Sequence, residues 1–252
     1  MDKDTLTLQE WTRIRNLLAN ISQAAADAFR DAVWNVNGVF GGVGLAKVSK
    51  RDLIDYAYSL VEYYGDGTAT VACELYDAIA ALQNAKVPAA VPAAKATRDD
   101  VAKTLLGVLK DTDNEEYVSA VVGRMVKQVG QDTLLQNAVR DGAEFAWVPA
   151  GETCAFCITL AANGWQTASK KTVKNGHAEH IHSNCDCSYC VRFDRNMTVD
   201  GYKPETYQKM YYAADGRTPK DKINSMRRAF YQLDREAGEG PDNSGLFDIN
   251  DI

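Results

Sequence analysis

The chain has 252 residues, of which 46% are hydrophobic and 25% charged, an ordinary composition for a globular protein with a sizeable core. Its net charge of −6 argues against a general affinity for nucleic acid, because clustered Lys and Arg side chains drive phosphate binding. No apolar run approaches the roughly 20 residues that span a bilayer, and the polar start Met1-Asp2-Lys3-Asp4 is unlike a signal peptide. We therefore expect a cytosolic, reducing setting without a membrane partner, in which clustered cysteines are metal ligands more often than disulfides.

The first 145 residues are predicted to form a helical region. Glycine-rich residues 37–44 should end its first helix, because glycine loses much backbone entropy in a helix. Ser49 with Asp52 has the pattern of a capping box and opens a second helix. The break Gly65-Asp66-Gly67 separates that helix from a third, expected from about Thr68 to Gln83. The first helix is predicted from apolar residues that recur at steps of three and four: Leu8, Trp11, Ile14, Leu18, Ile21, Ala25 and Phe29.

Residues 85–97 are the candidate linker of the chain. They include Pro88, Pro92 and many alanines, and each proline fixes φ, so the segment is expected to be semi-extended. Helices should resume near Asp99, near Asn114 and near Asp132. Asn114 is a suitable N-cap because two glutamates follow it in the first helical turn.

Residues 146–237 have the pattern of a small α+β module. A short strand is predicted at 145–149 and a short helix ends at Gly164, after which residues 165–195 alternate in the manner of strands. Two helices open at Pro204 and Pro219, where proline suits the first turn. The acidic, glycine-rich residues 238–252 are expected to form a flexible tail. The predicted fold class is α+β, mostly α.

Five of the six cysteines and all three histidines lie between residues 154 and 190. Cysteine and histidine are the preferred zinc ligands, and a C-x-x-C pair followed by a second pair suits a tetrahedral ion. Cys154 and Cys157 form the first pair. His182 with Cys185, or His182 with Cys187, forms the second, and both of these cysteines could ligate. On an extended strand the side chain of Cys190 would point to the opposite face from that of Cys187, so Cys190 is expected to pack in the core. We predict a structural Zn²⁺ that holds the module together.

Three other interpretations involve the same segment. A strand followed by C-x-x-C and a helix is typical of a thioredoxin-like redox site, but it leaves the downstream His/Cys group unexplained. A deaminase-like zinc hydrolase would use Glu179 as proton shuttle, although in that class the H-x-E comes before the C-x-x-C. A nucleic-acid-binding zinc module would use five cations, whose charge nearby acids partly offset: Lys170, Lys171, Lys174, Arg192 and Arg195.

Residues 147–164 and 182–187 resemble the Mu-F-like head-morphogenesis, or minor capsid, proteins of tailed bacteriophages. In that family a T-C-x-x-C…L-x-x-x-G block precedes an H-x-x-C-x-C block. Eight residues of this chain match those blocks one by one: Thr153, Cys154, Cys157, Leu160, Gly164, His182, Cys185 and Cys187.

The resemblance implies a non-enzymatic, few-copy protein of the virion, assembled in the cytoplasm of the bacterial host. Such a protein lies inside the phage head near the portal and acts in capsid assembly and in DNA packaging or ejection. The implied partners are the portal, scaffold or major capsid protein, with incidental contact to packaged DNA.

Overall fold

The computed structural model describes residues 5–150, 153–173 and 187–236. The strands are β1 (Thr5–Leu6), β2 (Glu144–Val148), β3 (Gln166–Thr167), β4 (Ser188–Arg192) and β5 (Thr198–Val199). The helices are α1 (Leu8–Trp34), α2 (Lys50–Leu82), α3 (Arg98–Val108), α4 (Glu115–Asp141), α5 (Ala155–Ala161), α6 (Lys170–Thr172), α7 (Pro204–Ala213) and α8 (Pro219–Glu236), with a 3₁₀ turn at Leu45–Lys47. This mostly helical architecture with a small antiparallel sheet confirms the predicted fold class.

The starts of the helices follow the capping residues in the sequence. Ser49 accepts a hydrogen bond from Asp52 N at the start of α2, and Asn114 accepts one from Tyr117 N at the start of α4. Thr97 and Asp100 form a capping box at the start of α3. The first backbone N–H groups of a helix have no carbonyl acceptor within the helix, and each capping side chain accepts a hydrogen bond from one of them. Residues within one turn therefore determine where these helices start.

The predicted break at Gly65-Asp66-Gly67 is wrong, because α2 runs through it without interruption. Leu60 before the glycines and Thr68 after them are both buried, so packing holds the helix on either side. Glycine costs about 1 kcal/mol in a helix interior, less than such packing supplies. The predicted helix start near Asp132 is also wrong, because Asp132 lies inside α4 and accepts a hydrogen bond from Gln128 at 2.7 Å.

Helix α4 is the central element of the fold. It packs against α1, α2, α3 and strand β4, and 16 of its 27 residues are buried. Close approach to its neighbours depends on two glycines. A Cβ at Gly123 would lie 2.7 Å from the carbonyl oxygen of Ser22 in α1, and one at Gly130 would lie 2.5 Å from Cγ2 of Thr68 in α2.

We expect Gly123→Ala to lower the free energy of unfolding by about 1–3 kcal/mol, because the backbones of α1 and α4 must separate to admit the methyl group. Gly67→Ala is the matched control: it also lies in a long helix, but a Cβ there meets nothing within 4 Å. That change should stabilise the protein by about 0.5–1 kcal/mol. Urea denaturation measures both, and shifts of the same sign in the two variants would contradict the packing described.

The buried residues form two clusters. One joins α1 and α3 to the first halves of α2 and α4, around Phe29, Val101 and Val122. The other joins the second halves of α2 and α4 to the sheet and to α5, α7 and α8, around Tyr76 and Tyr189. The second cluster extends across residue 145, so the helical region and the C-terminal module share hydrophobic core.

Strand β2 is the centre of a three-stranded sheet in the order β3-β2-β4. Both of its neighbours are antiparallel, and its pairing with β4 runs from Glu144↔Arg192 to Val148↔Ser188. The short strands β1 and β5 pair in parallel, with Thr5↔Thr198 and Leu6↔Val199. This second pairing attaches the start of the helical region to the C-terminal module.

The candidate linker, residues 85–97, has neither helix nor strand and lies along α2 and α4. Asn137 of α4 pairs with the backbone of Val91 through both its amide oxygen and its amide nitrogen, at 3.0 and 2.9 Å. Thr133 accepts a hydrogen bond from Ala93 N at 3.1 Å. Because these partners are buried side chains of α4, the segment is fixed to the helices it joins.

A polar cluster fastens the end of α4 to α2 and to this segment. Tyr76 Oη donates to Asp141 Oδ2 at 2.8 Å, and Arg140 pairs with both carboxylate oxygens at 2.7 Å. Arg140 also donates to the carbonyl oxygens of Pro88 and Ala89. The Asp141 side chain is only 3% exposed. Hydrogen bonds from Arg140, and more weakly from Tyr76, hold the pKa of this carboxyl below its usual value.

We expect Asp141→Asn to destabilise the protein by about 1–3 kcal/mol at pH 7, since it removes a charged partner of Arg140. The folded-state pKa of Asp141 lies below the unfolded value of about 3.9, so this stabilisation is present above pH 4 and is lost as pH falls through the folded value. The gap in stability between wild type and variant should therefore close in acid, and a gap independent of pH would contradict this account. Asp66→Asn is the control, because the Asp66 side chain is 72% exposed and should change stability little.

Candidate metal-binding site

Cys154 and Cys157 lie on the first turn of α5. Cys154 is the N-cap, and its Sγ accepts a hydrogen bond from Cys157 N at 3.4 Å. Cys157 is fully buried, whereas Cys154 is half-buried. The turn thus places Cys154 Sγ against the backbone N–H of Cys157, and an N–H donor directed at a sulfur is a common partner of metal-bound cysteine.

Cys187 immediately precedes β4 and is 2% exposed. Its Sγ accepts a hydrogen bond from Ala150 N at 3.4 Å. Ala150 follows the end of β2, which pairs with the start of β4 at Val148↔Ser188. The sheet register therefore places Cys187 beside the loop that leads from β2 to Cys154.

Tyr207 of α7 lies near two of these cysteines. Burial raises the pKa of its hydroxyl above the usual range, and Cys187 and Cys157 raise it further. Tyr207 is 4% exposed and belongs to the same buried cluster as Cys157 and Cys187. Sequence reasoning missed Tyr207, because a residue some 50 positions from Cys157 has no spacing signal that connects it with a C-x-x-C pair.

A buried glutamine of α4 positions the strand that follows Cys187. Gln131 Nε2 donates to Ser188 Oγ at 2.8 Å, and its Oε1 accepts from Tyr189 N at 2.8 Å. Gln131 is fully buried. Its neighbours in residues 127–133 are mostly polar or charged, so nothing in the sequence distinguishes Gln131 as buried or reveals its partner.

Cys190 is a core residue, as its position on the strand predicts. It is 1% exposed, and its Sγ donates to the carbonyl oxygen of Val191 at 3.9 Å. Burial raises the pKa of this thiol to about 12.

The remaining candidate ligands, His182 and Cys185, lie outside the described residues, as does Glu179. Among the residues that the structure describes, no group of three or more His, Cys, Asp or Glu side chains could hold a metal ion. The described part of the chain thus contains three of the five candidate ligands, Cys154, Cys157 and Cys187, and no complete metal centre. Buried sulfur donors with N–H partners nevertheless fit zinc by their chemistry.

Two cations of the predicted nucleic-acid face have a partner within the sheet. Arg192 contacts Glu144 Oε2 through Nε and Nη2 at 2.8 and 2.7 Å, and Arg195 Nε lies 3.1 Å from Glu144 Oε1. The Arg192 guanidinium also lies 4.4 Å from the ring centroid of Trp165. Glu144 faces Arg192 across β2 and β4, so the antiparallel register provides this neutralisation. Lys170 and Lys171 are exposed on α6, and Lys174 lies outside the described residues.

Comparison with protein families places the chain among the proteins of phages. It belongs to the VG15 protein family, whose model matches residues 5–214, more than four fifths of the chain. The match includes all five candidate ligands and Tyr207, whereas α8 lies beyond it. Comparison with curated proteins finds no significant match, and comparison with solved structures finds none either. The family supports the phage origin implied by the resemblance, and the Mu-F-like assignment stays a prediction.

Among the helices of the described ranges, none is long and apolar enough to cross a membrane.

Proposed function

We propose that this phage protein is a minor capsid, or head-morphogenesis, protein without enzymatic activity. It would lie inside the head near the portal and act in capsid assembly and in DNA packaging or ejection, through contacts with the portal, scaffold or major capsid protein. The observation that supports this most directly is the family match, because residues 5–214 contain both Cys/His blocks on which the Mu-F-like resemblance rests.

We further propose that the module carries a structural Zn²⁺. Cys154, Cys157 and His182 would hold it together with one or both of Cys185 and Cys187. The burial of Cys157 and Cys187, and the N–H donors directed at the sulfur atoms of Cys154 and Cys187, support this assignment. The bound metal would supply a cross-link between the start of α5 and the segment that precedes β4. When four protein ligands fill a tetrahedral site, no position is left for a reactive water, which accords with a non-enzymatic role.

The proposed location is tested in the phage. Mass spectrometry of purified virions and of procapsids should find the chain in a few copies per head. A nonsense mutation in its gene should yield heads that are misassembled or lack DNA. If the protein is absent from both particles while mutant phage assemble normally, the proposed function is wrong.

X-ray absorption at the zinc edge distinguishes the structural site from a hydrolase. Purified protein should contain about one zinc per chain in a shell of sulfur and nitrogen alone. A bound oxygen in that shell, together with hydrolysis that Glu179→Gln abolishes, would instead support the deaminase-like alternative.

A further inference from the structure

Helix α8 carries a stripe of cations on its exposed side. Lys220, Arg227 and Arg228 are exposed, as is Tyr231, which is 46% exposed. At 3.6 residues per turn these four positions fall within an arc of about 100°, and they extend over about 16 Å of helix. We call these four residues the basic stripe.

Packing fixes the direction of the basic stripe. Met226 and Phe230 on another side of α8 are each 5% exposed and belong to the core shared with α5 and α7. Lys222 is used structurally, since its Nζ donates to the carbonyl oxygens of Ala214 and Tyr211 at the end of α7, at 2.7 and 3.1 Å. The cations of the stripe have no such role, and within the described ranges none of them forms a salt bridge.

The stripe lies in a basic part of an acidic chain. Residues 203–236, which include all of α7 and α8, carry eight Lys or Arg and five Asp or Glu, whereas the whole chain carries 28 and 34. The acidic start of α4 is far from this module, because α4 has 27 residues and a length of about 40 Å. Charges interact over a Debye length of about 8 Å at physiological salt, so a ligand at α8 responds to the local positive charge and little to the net charge.

We propose that the basic stripe binds the phosphate backbone of double-stranded DNA without sequence preference. Three cations and one exposed phenol along a straight helix suit successive phosphates, which accept hydrogen bonds from Lys, Arg and Tyr side chains. The stripe lies on α8, which begins beyond the residues that the family model matches. The inference goes beyond the proposed function by assigning a DNA contact to named residues. Binding of DNA by the purified protein does not depend on whether the protein is found in a virion. The DNA-binding proposal and the proposed capsid function can therefore fail separately.

Fluorescence anisotropy of the full-length protein with a labelled duplex of about 30 base pairs tests the inference. Neutralisation of three phosphates by the three cations predicts that affinity falls about 40-fold between 50 and 200 mM salt. A duplex of scrambled sequence should bind equally well. The double variant R227E/R228E should weaken binding at least about tenfold at 50 mM salt and reduce the slope of log affinity against log salt by about two.

The matched control is K47E/K50E, which changes the net charge equally but alters exposed lysines at the other end of the bundle. It should bind DNA within about twofold of wild type. Equal weakening by both double variants, or unchanged binding by R227E/R228E, would overturn the proposal. If the protein instead self-associates in a manner that R227E/R228E abolishes and does not bind duplex, the stripe contacts an acidic surface of a second copy and the DNA proposal is wrong. Circular dichroism of each variant checks that α8 remains folded.

Discussion

Cys157→Ala is expected to abolish zinc binding and to unfold the core of the C-terminal module. Structural zinc contributes about 10–16 kcal/mol of apparent folding free energy in small peptides, which is as large as the total stability of a typical domain. The core around α5 would lose this contribution together with a buried side chain. Mass spectrometry measures the loss of zinc, and near-ultraviolet circular dichroism together with amide hydrogen exchange measures the unfolding of the core.

The extent of unfolding follows from the two buried clusters. Tyr76 and Leu135 pack with residues of the module, so the second halves of α2 and α4 should lose amide protection together with the sheet. The other cluster has its own partners in α1 and α3, around Phe29 and Val101, and should retain protection. Far-ultraviolet dichroism should accordingly fall only in part, with most of the N-terminal helices remaining helical.

Cys190→Ala is the matched control for this prediction. It removes the same atom from an equally buried cysteine of the same module, and a small cavity should cost only about 1 kcal/mol. Its zinc content should equal that of wild type. Separate Cys185→Ala and Cys187→Ala variants then show which of these two residues ligates. If wild type binds no zinc, or if complete chelation leaves near-ultraviolet dichroism and amide exchange unchanged, the structural zinc proposal fails.

Local chemistry in the sequence is sufficient to locate most of the helices. The starts of α2, α4, α7 and α8 follow from Ser49, Asn114, Pro204 and Pro219, because a cap or a first-turn proline acts within one turn. The continuity of α2 through Gly65 and Gly67 does not follow, since it depends on packing against α4. The pairing of β1 with β5 is likewise outside local reasoning, because two-residue strands have no periodicity.

In the candidate metal site, too, some features follow from the local sequence and others depend on packing. Spacing identifies Cys154, Cys157 and Cys187 as candidate ligands and Cys190 as a core residue. It does not identify Tyr207, which the packing of α7 places beside two of the cysteines. Glu144 pairs with Arg192 and Arg195 from the neighbouring strand, and the sequence around the two arginines does not indicate this partner. Contacts between distant elements thus determine the surroundings of residues whose own chemistry is evident from the sequence.

Gln131→Met is expected to destabilise the protein by about 2–4 kcal/mol. Methionine keeps approximately the volume of glutamine but removes the amide, so Tyr189 N and Ser188 Oγ lose a buried partner. An unsatisfied buried polar group costs about 1–3 kcal/mol, and both of these groups are on residues about 1% exposed. Gln136→Met is the matched control on the same helix, because Gln136 is exposed and the change should have little effect.

A double-mutant cycle separates the hydrogen bond from other effects of the substitution. Ser188→Ala alone leaves Gln131 Nε2 without its partner, so the loss of stability in Gln131→Met with Ser188→Ala should be smaller than the sum of the two single losses by at least about 0.5 kcal/mol. Additive losses would mean that the two side chains do not interact.

The same substitution tests whether α4 supports the candidate metal site. Gln131 holds Ser188 and Tyr189, the two residues that follow Cys187, so its loss should let the start of β4 move and should speed the transfer of zinc to a chelator. Supporting residues around a metal site typically change metal affinity by about 10- to 100-fold when they are replaced. If Gln131→Met destabilises the fold but releases zinc no faster than Gln136→Met, α4 positions the sheet without contributing to metal retention.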